Sequence, residues 1–124
     1  MVGRVFVAAI LGVALATPAV AGNLATAALF RGTNTVVFAC EAVNVGSKPI
    51  KTVTVRIVPF AGPPIAPSTC TDLAPGAICF VNTAEPAFHS GHCRVDFSGG
   101  KQNIRAAMSM IGSGNNVLQQ LPAL

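Results

Sequence analysis

Cys40, Cys70, Cys79 and Cys93 all lie downstream of a segment, residues 1–21, that has the pattern of a secretory signal peptide. Together these two features limit the possible folds more than anything else in the chain. Arg4 gives the N-terminus a short positive start, Val5 to Ala16 is an unbroken apolar stretch, and Thr17-Pro18 interrupts it before the small-residue triplet Ala19-Val20-Ala21. A signal peptidase reads this succession of charge, apolar run and small residues. The apolar run is shorter than the roughly 20 residues needed to cross a bilayer, and no charged flank follows to stop transfer. Cleavage after Ala21 is therefore expected, with Gly22 as the new first residue and no stable membrane anchor. The expected location is secreted or periplasmic, where an even cysteine count reads as a disulfide framework and not as a metal site.

Residues 22–124 make a single domain near the small end of what a hydrophobic core alone stabilises comfortably, so crosslinks matter. Four cysteines allow three connectivities, and the chain favours Cys70 with Cys79 and Cys40 with Cys93. The first pair flanks Pro75-Gly76, a turn dipeptide in which proline fixes one φ and glycine is free to take a positive one. The second joins two distant segments of alternating pattern. On the loop-entropy account the short bridge contributes about 2.7 kcal/mol and the long one about 4 kcal/mol.

The remaining pattern is that of short strands. Thr35-Val36-Val37-Phe38-Ala39-Cys40-Glu41-Ala42-Val43 is rich in β-branched and aromatic residues and places Phe38, Cys40 and Ala42 on one face. Lys51-Thr52-Val53-Thr54-Val55-Arg56-Ile57-Val58 alternates most cleanly, with Val53, Val55 and Ile57 turned to a core. Residues 77–82 form a short strand, and in His92-Cys93-Arg94-Val95-Asp96-Phe97 the cysteine, valine and phenylalanine point inward, leaving Arg94 and Asp96 outside. Residues 24–30 suit either helix or strand. So do residues 103–111, where Ile104, Ala106, Met108 and Met110 suit a strand and Ile104, Met108 and Ile111 a helix; strand neighbours favour strand. Gly62-Pro63-Pro64-Ile65-Ala66-Pro67 cannot pair inside a sheet and forms an exposed, polyproline-like loop. Phe38, Phe80 and Phe97 are assigned to the core, and Phe30, Phe60 and Phe88 to the neighbourhood of loops.

Six or seven such strands with turns between them predict an all-β chain, a small disulfide-stabilised antiparallel β-sandwich. A long bridge from an early strand to a late one resembles the immunoglobulin architecture, in which such a bond crosses between the sheets. That resemblance implies an immunoglobulin-like topology and nothing about function. The chain has no tryptophan to pack on the bond, and Gly91 stands two residues before Cys93 where a tyrosine would be expected.

Eight basic and four acidic residues give the whole chain +4; without Arg4 the count is seven to four, or +3. The charges are dispersed, which makes a weakly cationic surface and excludes the basic stripe with interleaved aromatics that nucleic-acid recognition requires. His89 and His92, beside Cys93, are the one cluster with metal-ligating chemistry, and Met108 and Met110 could add thioethers for copper. An oxidised Cys93 would be lost as a ligand, so this periplasmic metal-binding reading ranks second. No Cys-x-x-Cys supports thiol redox work, and no nucleophile, base and acid stand in a hydrolase pattern. Asp72 reads as a turn residue, Asp96 as a cross-strand partner of a basic residue, and Glu85 as a loop charge. The chain is thus expected to be a non-enzymatic binding or structural module without a cofactor. Its partner contacts are expected in loops 59–67 and 83–92, with Phe60, Pro63 and Pro64 as the candidate contact residues.

Overall fold

In the computed structural model, residues 21–86 and 88–124 are described, and they form two antiparallel sheets packed face to face. Of the signal-peptide reading of residues 1–21, all but Ala21 lies outside the described residues. Nine strands follow in chain order: β1 (Ala21–Ala25), β2 (Leu29–Phe30), β3 (Thr35–Asn44), β4 (Ile50–Pro59), β5 (Ser68–Leu73), β6 (Ile78–Thr83), β7 (Ser90–Ser98), β8 (Ile104–Gly112) and β9 (Val117–Pro122). The first sheet runs β1–β7–β4–β5, with β2 continuing the β1 edge along β7; the second runs β6–β3–β8–β9. β3 pairs with both β6 and β8, and β4 with both β5 and β7. The strand after β7, β8, crosses to the opposite sheet and pairs with β3, and the whole is the antiparallel β-sandwich expected from the sequence.

Alternation builds the core. Phe38, Cys40 and Ala42 of β3, Val53, Val55 and Ile57 of β4, Cys93, Val95 and Phe97 of β7, and Ile104, Ala106, Met108 and Met110 of β8 are all buried between the layers. Of residues 103–111, Asn103 ends a 3₁₀ turn and 104–111 are therefore strand, with a partner on each side. The ambiguous residues 24–30 resolve into the interrupted edge β1 and β2, which turns Leu24 and Leu29 inward. β5 carries almost no apolar pattern, and its sequence did not announce it; it pairs with β4 over Ile50↔Leu73 to Val55↔Ser68.

Two assignments of phenylalanine are corrected. Phe80 is 58% exposed, because Cys79 must face inward to reach Cys70 and a strand turns the next residue the other way. Phe88, placed by sequence among the loop residues, is 1% exposed and packs edge-on against Phe38 with ring centroids 4.5 Å apart.

Both expected disulfides form. Cys40 of β3 bonds Cys93 of β7, and Cys70 of β5 bonds Cys79 of β6, with Cα atoms 5.5 and 6.0 Å apart. Each bond joins one sheet to the other. The Pro75-Gly76 reversal carries the chain between sheets: Gly76 has φ 79° and the Ala77 amide donates to the Ala74 carbonyl at 2.9 Å, a type II turn. Asn44 locks this end. Its buried side chain donates to the Lys48 and Leu73 carbonyls at 2.8 and 2.9 Å and accepts from the Gly46 amide at 2.9 Å, while its carbonyl accepts from the Gly76 amide. Two disulfides are typical of extracellular or periplasmic proteins, and no helix among the described residues is long and apolar enough to cross a membrane.

Candidate functional site

The loop after β4 is the most exposed apolar feature at the rim of the first sheet. β5 pairs with β4 only as far as Val55, so Arg56 to Pro59 have β7 on one side and the loop on the other. Proline makes that loop stiff: Pro63, Pro64 and Pro67 each fix φ and remove a donor, which keeps residues 60–67 from closing onto β4 as a further strand. An open groove of about 280 Å³ is left, lined by Ile57, Val58, Pro59, Pro64, Ile65 and Pro67 with Arg56 at its edge. Phe60, the residue after Pro59 of that lining, is 87% exposed. Its amide donates to the Ser90 carbonyl at 3.0 Å, which fixes the backbone while leaving the ring in solvent. Phe60, Pro63 and Pro64 are thus all exposed on one loop.

The second predicted contact loop is built differently. Phe88 is drawn into the core, and the Arg31 guanidinium holds the segment from outside. Its Nε donates to the Phe88 carbonyl at 2.7 Å, one terminal nitrogen to the Thr35 carbonyl at 3.0 Å and the other to the Glu85 carbonyl at 3.0 Å. The Arg31 carbon Cζ also lies 5.3 Å from the centre of the Phe38 ring. Gly91 completes the fit, since a Cβ there would lie 2.5 Å from the Val58 carbonyl oxygen and 2.6 Å from the Phe88 ring. This loop is a fastened cover over the end of the sandwich. Arg31 carries that role, and sequence reasoning counted it only as one dispersed charge, because the carbonyls of residues 85 and 88 are more than fifty positions away.

His89 is exposed just before β7, and its carbonyl accepts from the Arg31 amide at 2.6 Å. His92 is half-buried on the outer face of β7, in register with Val58. Cys93 is tied up in its disulfide, and the sulfurs of Met108 and Met110 face the Thr26 and Thr35 hydroxyls inside the sandwich. Among the described residues no three His, Cys, Asp or Glu side chains gather as a metal-ligand set. Asp96 takes up the cross-strand role expected of it, 3.4 Å from Arg56 and 3.3 Å from Arg94. Asp72 sits near the end of β5 with φ 49°.

The chain matches no protein-family model, no curated protein and no solved structure.

Proposed function

We propose that the protein is an exported, non-enzymatic binding module that engages a protein partner through residues 59–67. In this reading the disulfide-stapled sandwich is a rigid scaffold, and the loop after β4 presents Phe60, Pro63 and Pro64 beside an apolar groove. The observation that carries it is the 87% exposure of Phe60, which follows the groove residue Pro59 in the chain, where a segment of another chain would gain apolar burial without reordering the scaffold. An extended apolar segment fits best, because the β4 backbone over Arg56 to Pro59 lacks a strand on the loop side. Secretion with loss of residues 1–21 belongs to the same proposal and is supported by the signal pattern and by two disulfides.

The test is a photo-reactive residue at position 60, compared with the same residue at Thr69 on the polar face. Incubation with the extracellular fraction of the native source should give one discrete adduct from position 60 and none from position 69. Replacing residues 61–67 by Gly/Ser should abolish it while the melting temperature stays within a few degrees, as for other surface changes. Identical adducts from both positions, or none from either, would refute the proposal.

A further inference from the structure

The two outer faces of the sandwich differ in chemistry. The first sheet presents Thr52, Thr54, Arg56, Thr69, Arg94 and Asp96 to solvent, as a strand face in water should. The second presents Ala39, Val43, Ile78, Phe80, Ala107 and Ile111, which the registers Val43↔Ile78, Glu41↔Phe80, Glu41↔Ala107 and Ala39↔Ser109 place together on its outward side. Ile78 and Phe80 are 55% and 58% exposed. Asn82, Ser109 and Gln120 share that outward side beside Ala39, so its apolar part is the patch formed by Val43, Ile78, Phe80 and Ala107, and an exposed apolar patch of this kind marks a surface that another body covers.

Two charges interrupt this face, and they are of opposite sign. Glu41 lies on β3 opposite Ala107, and Arg105 lies on β8 opposite Val43, and the two do not pair with each other. Arg105 donates to the carbonyls of Lys101, Gln102 and Ile104, at 3.3, 3.5 and 2.8 Å, and Glu41 accepts from the Gln120 amide at 3.4 Å. Between them lies a hollow of about 200 Å³, lined by Glu41, Val43, Ile78, Arg105, Ala106 and Ala107. A cavity of about 150 Å³ holds a benzene molecule, so this hollow has room for one phenylalanine ring. Phe80, on the strand beside Glu41, is an exposed ring on the same face.

We propose that this face is the interface of a homodimer, in which two copies pack their β6–β3–β8–β9 sheets against each other about a two-fold axis. A two-fold interface requires a surface complementary to itself. Here each copy offers a ring and a hollow, and an acid and a base, so Phe80 of one copy enters the hollow of the other and Glu41 approaches the opposite Arg105. Strands of ten, nine, six and six residues, spaced about 4.8 Å apart with about 3.3 Å per residue, project roughly 500 Å², so this sheet face supplies more than half of the roughly 800 Å² per partner of a stable interface. The proposal goes beyond the partner contact of loop 59–67, which lies on the other sheet, and the two fail separately.

Sedimentation velocity of the purified, disulfide-intact protein tests it. The wild type should sediment as a dimer at about 10 µM, within the affinity range of interfaces this size. Phe80→Lys should be a monomer with an unchanged circular dichroism spectrum. Glu41→Arg and Arg105→Glu should each weaken the dimer about tenfold or more, and the two combined should recover most of that loss, because the exchanged charges again face each other across the axis. A wild type that stays monomeric to about 500 µM, a dimer that survives Phe80→Lys, or a combined variant no better than its parents would overturn the proposal. So would a monomer whose Phe80 mediates binding to phosphatidylcholine vesicles.

Discussion

Arg31 is a partly buried cation that spends all its hydrogen-bonding geometry on backbone carbonyls. It reaches Thr35 at the start of β3 and Glu85 and Phe88 in the segment between β6 and β7. A planar guanidinium can address three acceptors in different directions, whereas an ammonium on the same stem is a point donor. Arg31→Ala leaves the Phe88 carbonyl without this donor and removes the cation above Phe38, so it should cost about 2–4 kcal/mol. Arg31→Lys should recover less than half of that. Urea unfolding measures both, and hydrogen exchange should show residues 84–89 opening in the alanine variant while β3 and β7 stay protected; equal losses of protection everywhere would contradict the role assigned. At this scale the sequence was only partly legible. Phe38 and Phe97 declared themselves by alternation, but Phe88 has no local period and is buried by contacts with residues far away. Phe80 was misassigned although a signal for it existed, since a disulfide at Cys79 already dictated that its neighbour face out.

Strands were more legible than single residues, because a period of two summed over eight or nine positions outweighs the ambiguity of any one of them. β3, β4 and β7 follow their patterns, and in β8 the alternate burial of Ile104, Ala106, Met108 and Met110 decides between periods that competed in the sequence. β5 was illegible because its stability comes from β4 and from the Cys70 bond, not from an apolar face of its own. The β4–β7 ladder also contains a local conflict that the sequence hinted at only in part. Arg56 and Arg94 stand directly opposite each other, and Asp96, one pair further along that face, contacts both. Like charges opposite one another destabilise a strand pair, and a carboxylate between them offsets that. Asp96→Asn should therefore cost about 0.5–1 kcal/mol, the upper end for exposed pairs, in low salt. Thermal unfolding at rising ionic strength should show that difference shrinking, since exposed charges are screened over about 10 Å at 0.1 M. A cost that is independent of salt would mean that Asp96 acts through packing.

Over the whole molecule, the sandwich and its two bonds were readable from cysteine number and strand pattern, while the strand order and the apolar patch on one outer face were not. Order depends on which sheet each strand joins after its turn, and the patch of Val43, Ile78, Phe80 and Ala107 is assembled only by the registers of β3, β6 and β8. The two disulfides both cross between sheets, but they close different lengths of chain, with separations of 53 and 9 residues. Removing the long crosslink releases more denatured-state freedom, so Cys40→Ala with Cys93→Ala should cost about 4 kcal/mol, against about 2.7 kcal/mol for Cys70→Ala with Cys79→Ala. Burial acts in the same direction. Cys40 and Cys93 are fully enclosed, so their loss also leaves a cavity between the layers, while Cys70 is only half-buried. Urea titration of the two double variants should rank them in that order, and the slope of unfolding free energy against urea should rise more for the long-bridge variant, whose denatured chain expands further. If the short-bridge variant proves the less stable, the turn at Pro75-Gly76, and not the centre of the sandwich, is what holds the two sheets together.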